Sequence, residues 1–368
     1  MGSTISVLHE GDDEMYKIFV INPGSTSTKL SVFEDDKMVC DECVKHDTKE
    51  LMAFPTINDQ LEYRAKVINE FVVENNIDLS GLDAIVGRGG SSYPVKSGVY
   101  EVNERLLEDT RNAVGGINHP SNLGIQLGKL VQDQVGCRLF MVDPICVDEL
   151  CDEARVTGIK GIERKAISHA LNIKGTARVH CEKYGLNYND INLIMCNIDG
   201  GISIAAHKKG RQIDCNNACG GDGPFTPTRI GSMGTLDIVR YLEQGHSIDD
   251  VKRLCCGAGG FVSLLGTNDG DEVQRMIAEG NEEAKVVWNA FLYNIVKRIG
   301  SMATVLEGKV DGIILTGRYV RFDELVKYIE NHCGWIAPIY CYEGEVEQEA
   351  MAVGALDVLT GKREPLTY

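Results

Sequence analysis

Two stretches of this chain repeat one local design, and that repeat constrains the fold more than any other feature. Residues 18–33 read Ile-Phe-Val-Ile-Asn-Pro-Gly-Ser-Thr-Ser-Thr-Lys-Leu-Ser-Val-Phe: an apolar strand, a Gly/Ser/Thr turn, and a second strand. Residues 193–206 read Leu-Ile-Met-Cys-Asn-Ile-Asp-Gly-Gly-Ile-Ser-Ile-Ala-Ala, again strand, small-residue turn, strand. Asn22 and Asn197 hold equivalent places, 175 positions apart, close to half the chain length. Such a turn aims backbone N–H groups and hydroxyls at one point, where a phosphate can sit. Alone, either hairpin reads as an ordinary β-turn. The pair predicts an internal duplication that grips a nucleoside triphosphate from both sides. Neither loop has the G-x-x-x-x-G-K-[ST] order or the strand–GxGxxG–helix order, which disfavours those two nucleotide folds.

The chain has 368 residues, enough for two domains of roughly 150–200 residues each. Its 37 basic and 54 acidic residues give a net charge of −17, which argues against a nucleic-acid partner. A bound nucleotide must then be met by local arginines, backbone dipoles and a divalent metal. No apolar run approaches the roughly 20 residues that span a bilayer, so no membrane partner is expected. The 13 cysteines are an odd number scattered over both halves, which reads as reduced thiols in a cytoplasmic protein. Cys40-Asp-Glu-Cys43, with His46 nearby, admits a zinc or redox pair, but no second CxxC has matching spacing and structural thiols are preferred. The start, Met1-Gly2-Ser3-Thr4-Ile5-Ser6, fits an N-myristoylation pattern. Without a polybasic second signal, residues 1–14 read instead as a disordered extension.

Along the chain a helix is expected at about 60–76, with Leu61, Ala65, Ile68, Phe71 and Val72 on one face. A buried strand at 82–86 ends in Gly87-Arg88-Gly89-Gly90, and a strand at 138–142 ends at Asp143-Pro144. Between them lie helices at about 104–113 and 122–134, the latter capped by Asn118-His119-Pro120-Ser121-Asn122. Helices are expected to dominate 163–184. Residues 215–235 are irregular and glycine-rich, a long loop of the functional kind. Helices follow at about 236–242, 248–255, 271–305 (as two) and 321–332, with a strand at 311–317 and a last helix at 346–360. Strands alternating with helices and two hairpins place the chain among α/β folds with mixed sheets, its halves facing each other across a cleft.

Several segments resemble the butyrate kinases: Val20-Ile-Asn-Pro-Gly-Ser-Thr-Ser-Thr-Lys29, Val86-Gly-Arg-Gly-Gly90, His119-Pro-Ser-Asn-Leu-Gly124 and Val142-Asp-Pro144. So do Ala206-His-Lys-Lys-Gly210, Gly223-Pro-Phe-Thr-Pro-Thr-Arg229, Leu265-Gly-Thr-Asn-Asp269 and Ile313-Ile-Leu-Thr-Gly317. The resemblance runs in order from about residue 17 to nearly the end. It implies the duplicated actin-like (ribonuclease H-like) fold shared by acetate kinases, sugar kinases and heat-shock 70 proteins, with an ATP cleft between the domains. The implied division is residues 15–165 with 350–368 for the first domain and 166–349 for the second. The implied reaction is butanoate plus ATP giving butanoyl phosphate and ADP, reversibly, by direct in-line transfer. By resemblance, Arg88 and Arg229 clamp the carboxylate or the transferring phosphoryl group from opposite domains, and His119 donates a hydrogen bond to it. Asp143, Glu347 and Asn22 would position Mg²⁺, with Glu349 the alternative to Glu347. Phosphate contacts would come from Asn22, Gly24, Ser25, Thr26, Ser27, Thr28 and Lys29 on the first hairpin and from Asp199, Gly200 and Gly201 on the second. Thr316, Gly317 and Arg318 would meet the adenosine end. Relatives of this kind form homodimers or larger homo-oligomers. Taken singly, each residue also has a structural reading: a surface ion pair for the arginines, a turn residue for His119 and Asp143, a solvated acidic face for the glutamates.

The chain departs from the family's pattern in three places. The second hairpin of these kinases typically reads His-Met-Gly-Gly-Gly, and here it is Asn197-Ile198-Asp199-Gly200-Gly201. Asn197 offers a neutral hydrogen bond where the family has a histidine at the reaction centre. Asp199 brings negative charge beside phosphates, which is unfavourable unless a metal intervenes, as in the similar loop of heat-shock 70 proteins. The family's Thr-Gly-Gly is here Thr316-Gly317-Arg318, so that Arg318 stacks on adenine, pairs with phosphate or fills the pocket. These departures keep a second possibility open: a weakly active or non-catalytic paralogue that binds nucleotide or acyl phosphate as a regulatory or assembly protein.

Overall fold

The structure, a computed structural model, describes residues 15–368. The expectations for Gly2 and for the 1–14 extension lie outside the described residues. The strands are β1 (Lys17–Pro23), β2 (Ser27–Glu34), β3 (Lys37–Lys45), β4 (Ala84–Gly87), β5 (Val99–Glu101) and β6 (Arg138–Val142) in the first half. The second half contributes β7 (Asn192–Ile198), β8 (Ile202–Lys208), β9 (Arg211–Cys215), β10 (Gly312–Gly317) and β11 (Ile339–Glu343). They form two sheets, ordered β3-β2-β1-β4-β6-β5 and β11-β10-β7-β8-β9. In each sheet an antiparallel three-strand meander continues into parallel strands through its first member, β1 or β7. The second sheet thus repeats the first, with β5 as an added edge. Asn22 and Asn197 are both the sixth residue of the leading strand, and the register shift at Val32/Phe33 of β2 is matched by one at Ala206/His207 of β8. The duplication read from the two hairpins is a duplication of whole sheets.

Alternation explains how the layers stack. On β1, Ile18 and Val20 face the helix Glu347–Leu359 through Met351 and Ala355, while Phe19 and Ile21 face the helices Leu61–Glu74 and Gly124–Val135 through Ile68, Phe71 and Leu127. On β7, Leu193 and Met195 meet the helix Ala170–Tyr184 through Ile173 and Ala177, and Ile194 and Cys196 meet the helices Glu282–Val305 and Asp323–Cys333. Period-two burial of this kind is what two-sided packing of a sheet demands. The helix Glu347–Leu359 starts directly after the second sheet and packs along the first. The implied division at 349/350 lies within this helix.

Several local expectations are corrected. Within 163–184 only Ala170–Tyr184 is helical; Glu163 instead forms an antiparallel bridge with Val156 around Gly158 and Gly161. Strands β3, β5, β9 and β11 are additional to the strands expected from the sequence. On β3 every second residue is exposed (burial alternates along Lys37–Lys45), so charges occupy the outer face of an edge strand. That same alternation sends Cys40 and Cys43, three apart, to opposite faces, which separates the CxxC thiols.

The second core centres on Phe291, with ring centroids of Phe261, Trp288, Tyr319 and Phe225 at 5.0, 5.5, 5.6 and 6.1 Å. Tyr319 follows β10 and Phe225 begins the loop that ends at Arg229, so this cluster seats two site loops. Phe291→Ala is expected to cost about 3–5 kcal/mol of stability, measured by urea denaturation.

Candidate active site

Two recesses meet between the sheets, sharing Gly24, Ser25, Arg88, Glu345 and Glu347. The larger, about 550 Å³, is lined by Asn22, Thr26, Ser27, Lys29, Lys45 and Arg318 besides the shared residues. The smaller, about 180 Å³, lies among Ile117, Ile145, Ile167, His119, His169 and Arg229. The larger recess therefore carries an excess of cationic side chains, and the smaller one sets three isoleucines beside two arginines and two histidines.

At the junction, Glu347 Oε2 accepts from Asn22 Nδ2 at 2.9 Å and pairs with Arg88 Nη1. Arg88 Nη1 also donates to Asn22 Oδ1 at 3.1 Å, and the Arg88 backbone N–H donates to Ile21 O at 2.9 Å. The ends of β1 and β4 and the start of the last helix are thus tied into one knot. Lys29 is held by Glu345 at 2.7 Å; this carboxylate outweighs burial and raises the Lys29 pKa, so the lysine is a fixed cation. Glu349 lines a different recess, against Arg178 and Asp357, so of the two acidic candidates it is Glu347 that faces the cleft. Glu347 Oε1 has no protein partner among the described residues, and no cluster of three or more metal-ligating side chains occurs among them. One carboxylate oxygen with Asn22 beside it fits Mg²⁺, which keeps its waters and leans on substrate phosphates, and does not fit a metal held by protein ligands alone.

In the smaller recess, the Ser121 backbone N–H donates to His119 Nδ1 at 3.1 Å. Nδ1 is therefore the acceptor, and Nε2 carries the proton toward Ser25 Oγ, 3.4 Å away. Burial, then the charges of Arg88 and Arg229, push the His119 pKa down to about 3, and burial with the same arginines pushes His169 to about 4. Both imidazoles are neutral hydrogen-bonding groups at neutral pH. His169 Nδ1 lies 2.7 Å from Ser203 Oγ. Arg229 is fixed by Nη1 donating to Ala218 O at 2.7 Å, and its buried Nε has no partner among the described residues. Gly201 permits this: a Cβ there would stand 2.6 Å from Arg229 Nη1 and 3.0 Å from the His169 ring. Thr226 and Thr228 hydroxyls donate to Gly200 O at 2.7 and 3.1 Å, clasping the second hairpin to the Arg229 loop.

Other expected site residues do not reach the cleft. Asp143 is a correction. It is fully buried in a left-handed conformation (φ 36°), and its carboxylate takes Ser97 Oγ at 2.6 Å, Gly98 N at 2.8 Å and Arg178 Nη2 at 3.0 Å. Arg178 and Lys174 outweigh burial and hold its carboxyl below the usual range, so it anchors the half-buried Arg178 with both oxygens engaged. Thr28 is likewise turned inward by strand alternation, with its hydroxyl 2.8 Å from His46 Nε2 and accepting from Arg64 Nη1 at 2.9 Å. Asn197 accepts from Asn172 Nδ2 at 2.7 Å and is buried away from both recesses, its own Nδ2 without a partner among the described residues. The Thr316 hydroxyl donates to Gly344 O at 2.9 Å, inside the sheet. Gly317 has φ 96° and touches β7, where a Cβ would collide with the Ile198 carbonyl. Asp199 does not stand free beside the hairpin: it is paired with Arg318, Nη2 to Oδ1 at 2.6 Å. The two departures that cast doubt on phosphate binding neutralise each other.

Sequence reasoning missed His169, Glu345, Lys45 and the three isoleucines. His169 sits immediately before the helix Ala170–Tyr184, within a stretch that helices are expected to dominate. Arg64 was also missed: it is fully buried, has no carboxylate partner among the described residues, and donates to Ser27 O at 3.1 Å from behind the first hairpin.

The neutral histidines carry a pH signature. Their folded pKa values lie below the ordinary value of about 6.5, so between pH 6.5 and 4 the unfolded chain binds more protons. Stability is then full above pH 6.5 and falls on acidification, by up to about 1.4 kcal/mol per pH unit for each histidine. Urea titrations at pH 7 and 5 should show His119→Asn losing less stability over this interval than the parent; equal losses would mean that His119 is not held neutral.

The sequence pattern of the acetokinase family matches residues 161–320. A probable butyrate kinase of Coprothermobacter proteolyticus is 44% identical over 356 residues, covering 96% of this chain and 99% of that protein. Butyrate kinase 2 of Clostridium acetobutylicum is 42% identical over 354 residues, with 96% and 99% covered. Among solved structures, an acetate kinase of Porphyromonas gingivalis superimposes with a TM-score of 0.75 at 17% identity over 95% of this chain and 100% of that one. A propionate kinase of Francisella tularensis gives 0.74 at 17% identity over 92% and 99%. The solved structures establish the fold, and identity above 40% along almost the whole length establishes that the chain belongs to the butyrate kinases of the acetokinase family.

Proposed function

We propose that the protein transfers the γ-phosphoryl group of ATP to butyrate, giving butanoyl phosphate and ADP, and catalyses the reverse reaction. The observation that carries this reading is the smaller recess, where Arg88 and Arg229 from opposite halves meet a wall of three isoleucines. Apolar walls take the alkyl tail, and the guanidinium forks take carboxylate and phosphoryl oxygens. The carboxylate is already ionised at pH 7, so no general base is needed. Its oxygen forms a bond to the γ-phosphorus as the bond from phosphorus to the bridging oxygen breaks. ADP leaves with the electron pair, and no proton changes place.

Catalysis of this kind rests on alignment and on fixed positive charge. Arg88, locked by Asn22 and Glu347, reaches both recesses, where acceptor and phosphoryl group would meet. The His119 Nε2–H would donate to a phosphoryl oxygen without titrating. Ser25, Ser27 and Lys29 would hold the outer phosphates from the first hairpin. Glu347 and Asn22 would hold the Mg²⁺ that accompanies ATP, which would supply positive charge against the phosphates.

Hydroxylamine trapping with ATP, Mg²⁺ and C2 to C6 acids tests the reading. Butyrate-range turnover is expected, falling roughly 10²–10³-fold in Arg88→Ala and in Arg229→Ala. A folded protein that forms no acyl phosphate in either direction would overturn it. If the isoleucines bound the tail, Ile117→Phe should shift preference toward acetate by roughly 10–200-fold in relative kcat/KM; an unchanged preference would move the tail elsewhere.

A further inference from the structure

We propose that Asp199 and Arg318 are one phosphate clamp, in which Asp199 orients the guanidinium and Arg318 binds the outer phosphates of the nucleotide. The proposal rests on the kinase reading of the cleft and deepens it. Asp199 accepts from the Arg318 backbone N–H at 3.1 Å, from Arg318 Nε at 3.0 Å to both oxygens, from Nη2 at 2.6 Å and from Gly200 N at 2.6 Å. These donors saturate the carboxylate, so it has no role as a metal ligand.

The pair is asymmetric. The Asp199 side chain is 10% exposed, whereas that of Arg318 is 68% exposed and lines the 550 Å³ recess with Ser25, Ser27 and Lys29. Arg318 Nη1 has no protein partner among the described residues. A planar fork gripped along its inner edge thus presents its outer N–H groups to the cleft, as bidentate phosphate binding requires. The backbone is fixed as well, because Gly317 is wedged against Ile198 immediately before Arg318.

Both residues stand where the butyrate kinase pattern has glycine, on two different hairpin and strand ends. Either change alone is unfavourable. Aspartate by itself would repel phosphates, and an unheld arginine would lose side-chain entropy on every binding event. Together they exchange two backbone approaches for a preset cation. Asp199 is a positioning residue; Arg318 is the one that touches ligand.

A double-mutant cycle separates this from a structural ion pair. In Arg318→Gly, the KM for ATP and the Kd for MgADP should rise about tenfold or more, because a charged hydrogen bond is lost and a bare carboxylate is left. Affinity for AMP, which lacks the outer phosphates, should stay within about threefold. Asp199→Asn should weaken MgADP severalfold, and Asp199→Gly combined with Arg318→Gly should bind MgADP better than Arg318→Gly alone. Arg318→Lys, which keeps the charge and the fold but not the fork, should fall between the parent and Arg318→Gly. Equal losses for ADP and AMP, additive losses in the double variant, or an unchanged Kd in both Arg318 variants would each overturn the clamp. These outcomes are distinct from failure of the kinase reading: a parent that makes no acyl phosphate yet loses MgADP affinity on Arg318→Gly keeps the clamp and loses the kinase.

Discussion

The buried pairing of Glu347 with Asn22 and Arg88 is the constraint on which the site depends. Each partner ends a different element: β1, β4, and the segment that brings the chain back from the second sheet. The pair is about nine-tenths buried on both sides (13% and 5% exposed), so removing one member would strand a charge in low dielectric. The same knot forces Arg88 to the seam between a cationic recess and one that holds three isoleucines. That seam is where a carboxylate and a phosphoryl group must touch if either is to react with the other.

The two halves show how one topology yields unlike chemistry. In the first sheet the asparagine ending the leading strand is spent on Arg88 and Glu347, at the cleft. Its counterpart Asn197 is spent on Asn172, which also donates weakly to Thr316 and accepts from Val346 N, a structural hub inside the second half. The first hairpin keeps its hydroxyls and its lysine facing the cleft, backed by the buried charge of Arg64. The second hairpin presents a bare Gly200–Gly201 turn clasped by threonines and flanked by the Asp199–Arg318 pair. Equivalent backbone positions have been given supporting and ligand-facing duties in opposite measure.

Much of the architecture was legible in the sequence, because buried strands such as Ala84–Gly87 and Gly312–Gly317 are continuous apolar runs and the paired hairpins recur at a fixed interval. Edge strands were not legible: β3 is half solvent-facing, and its charges mask the period of two. At the site, residues on turns announced themselves through Gly, Ser and Pro, as Arg88 and His119 did. Those placed by tertiary packing did not. His169 looked like one more residue of a helix, and Asp143 at a strand end looked like a ligand because nothing local reveals that Arg178, thirty-five positions on, reaches back to it. Likewise Asp199 and Arg318 each read as a defect, since a pairing across 119 positions has no local trace.

The chain passes between its two sheets only at the approach to Ala170–Tyr184 and at the entry to Glu347–Leu359, and these two helices lie against each other with Gly175 admitting Ala350 and Val346 at the crossing. Two covalent crossings side by side define an axle. A hinge between the halves would have to run through these two crossings, next to the knot of Asn22, Arg88 and Glu347.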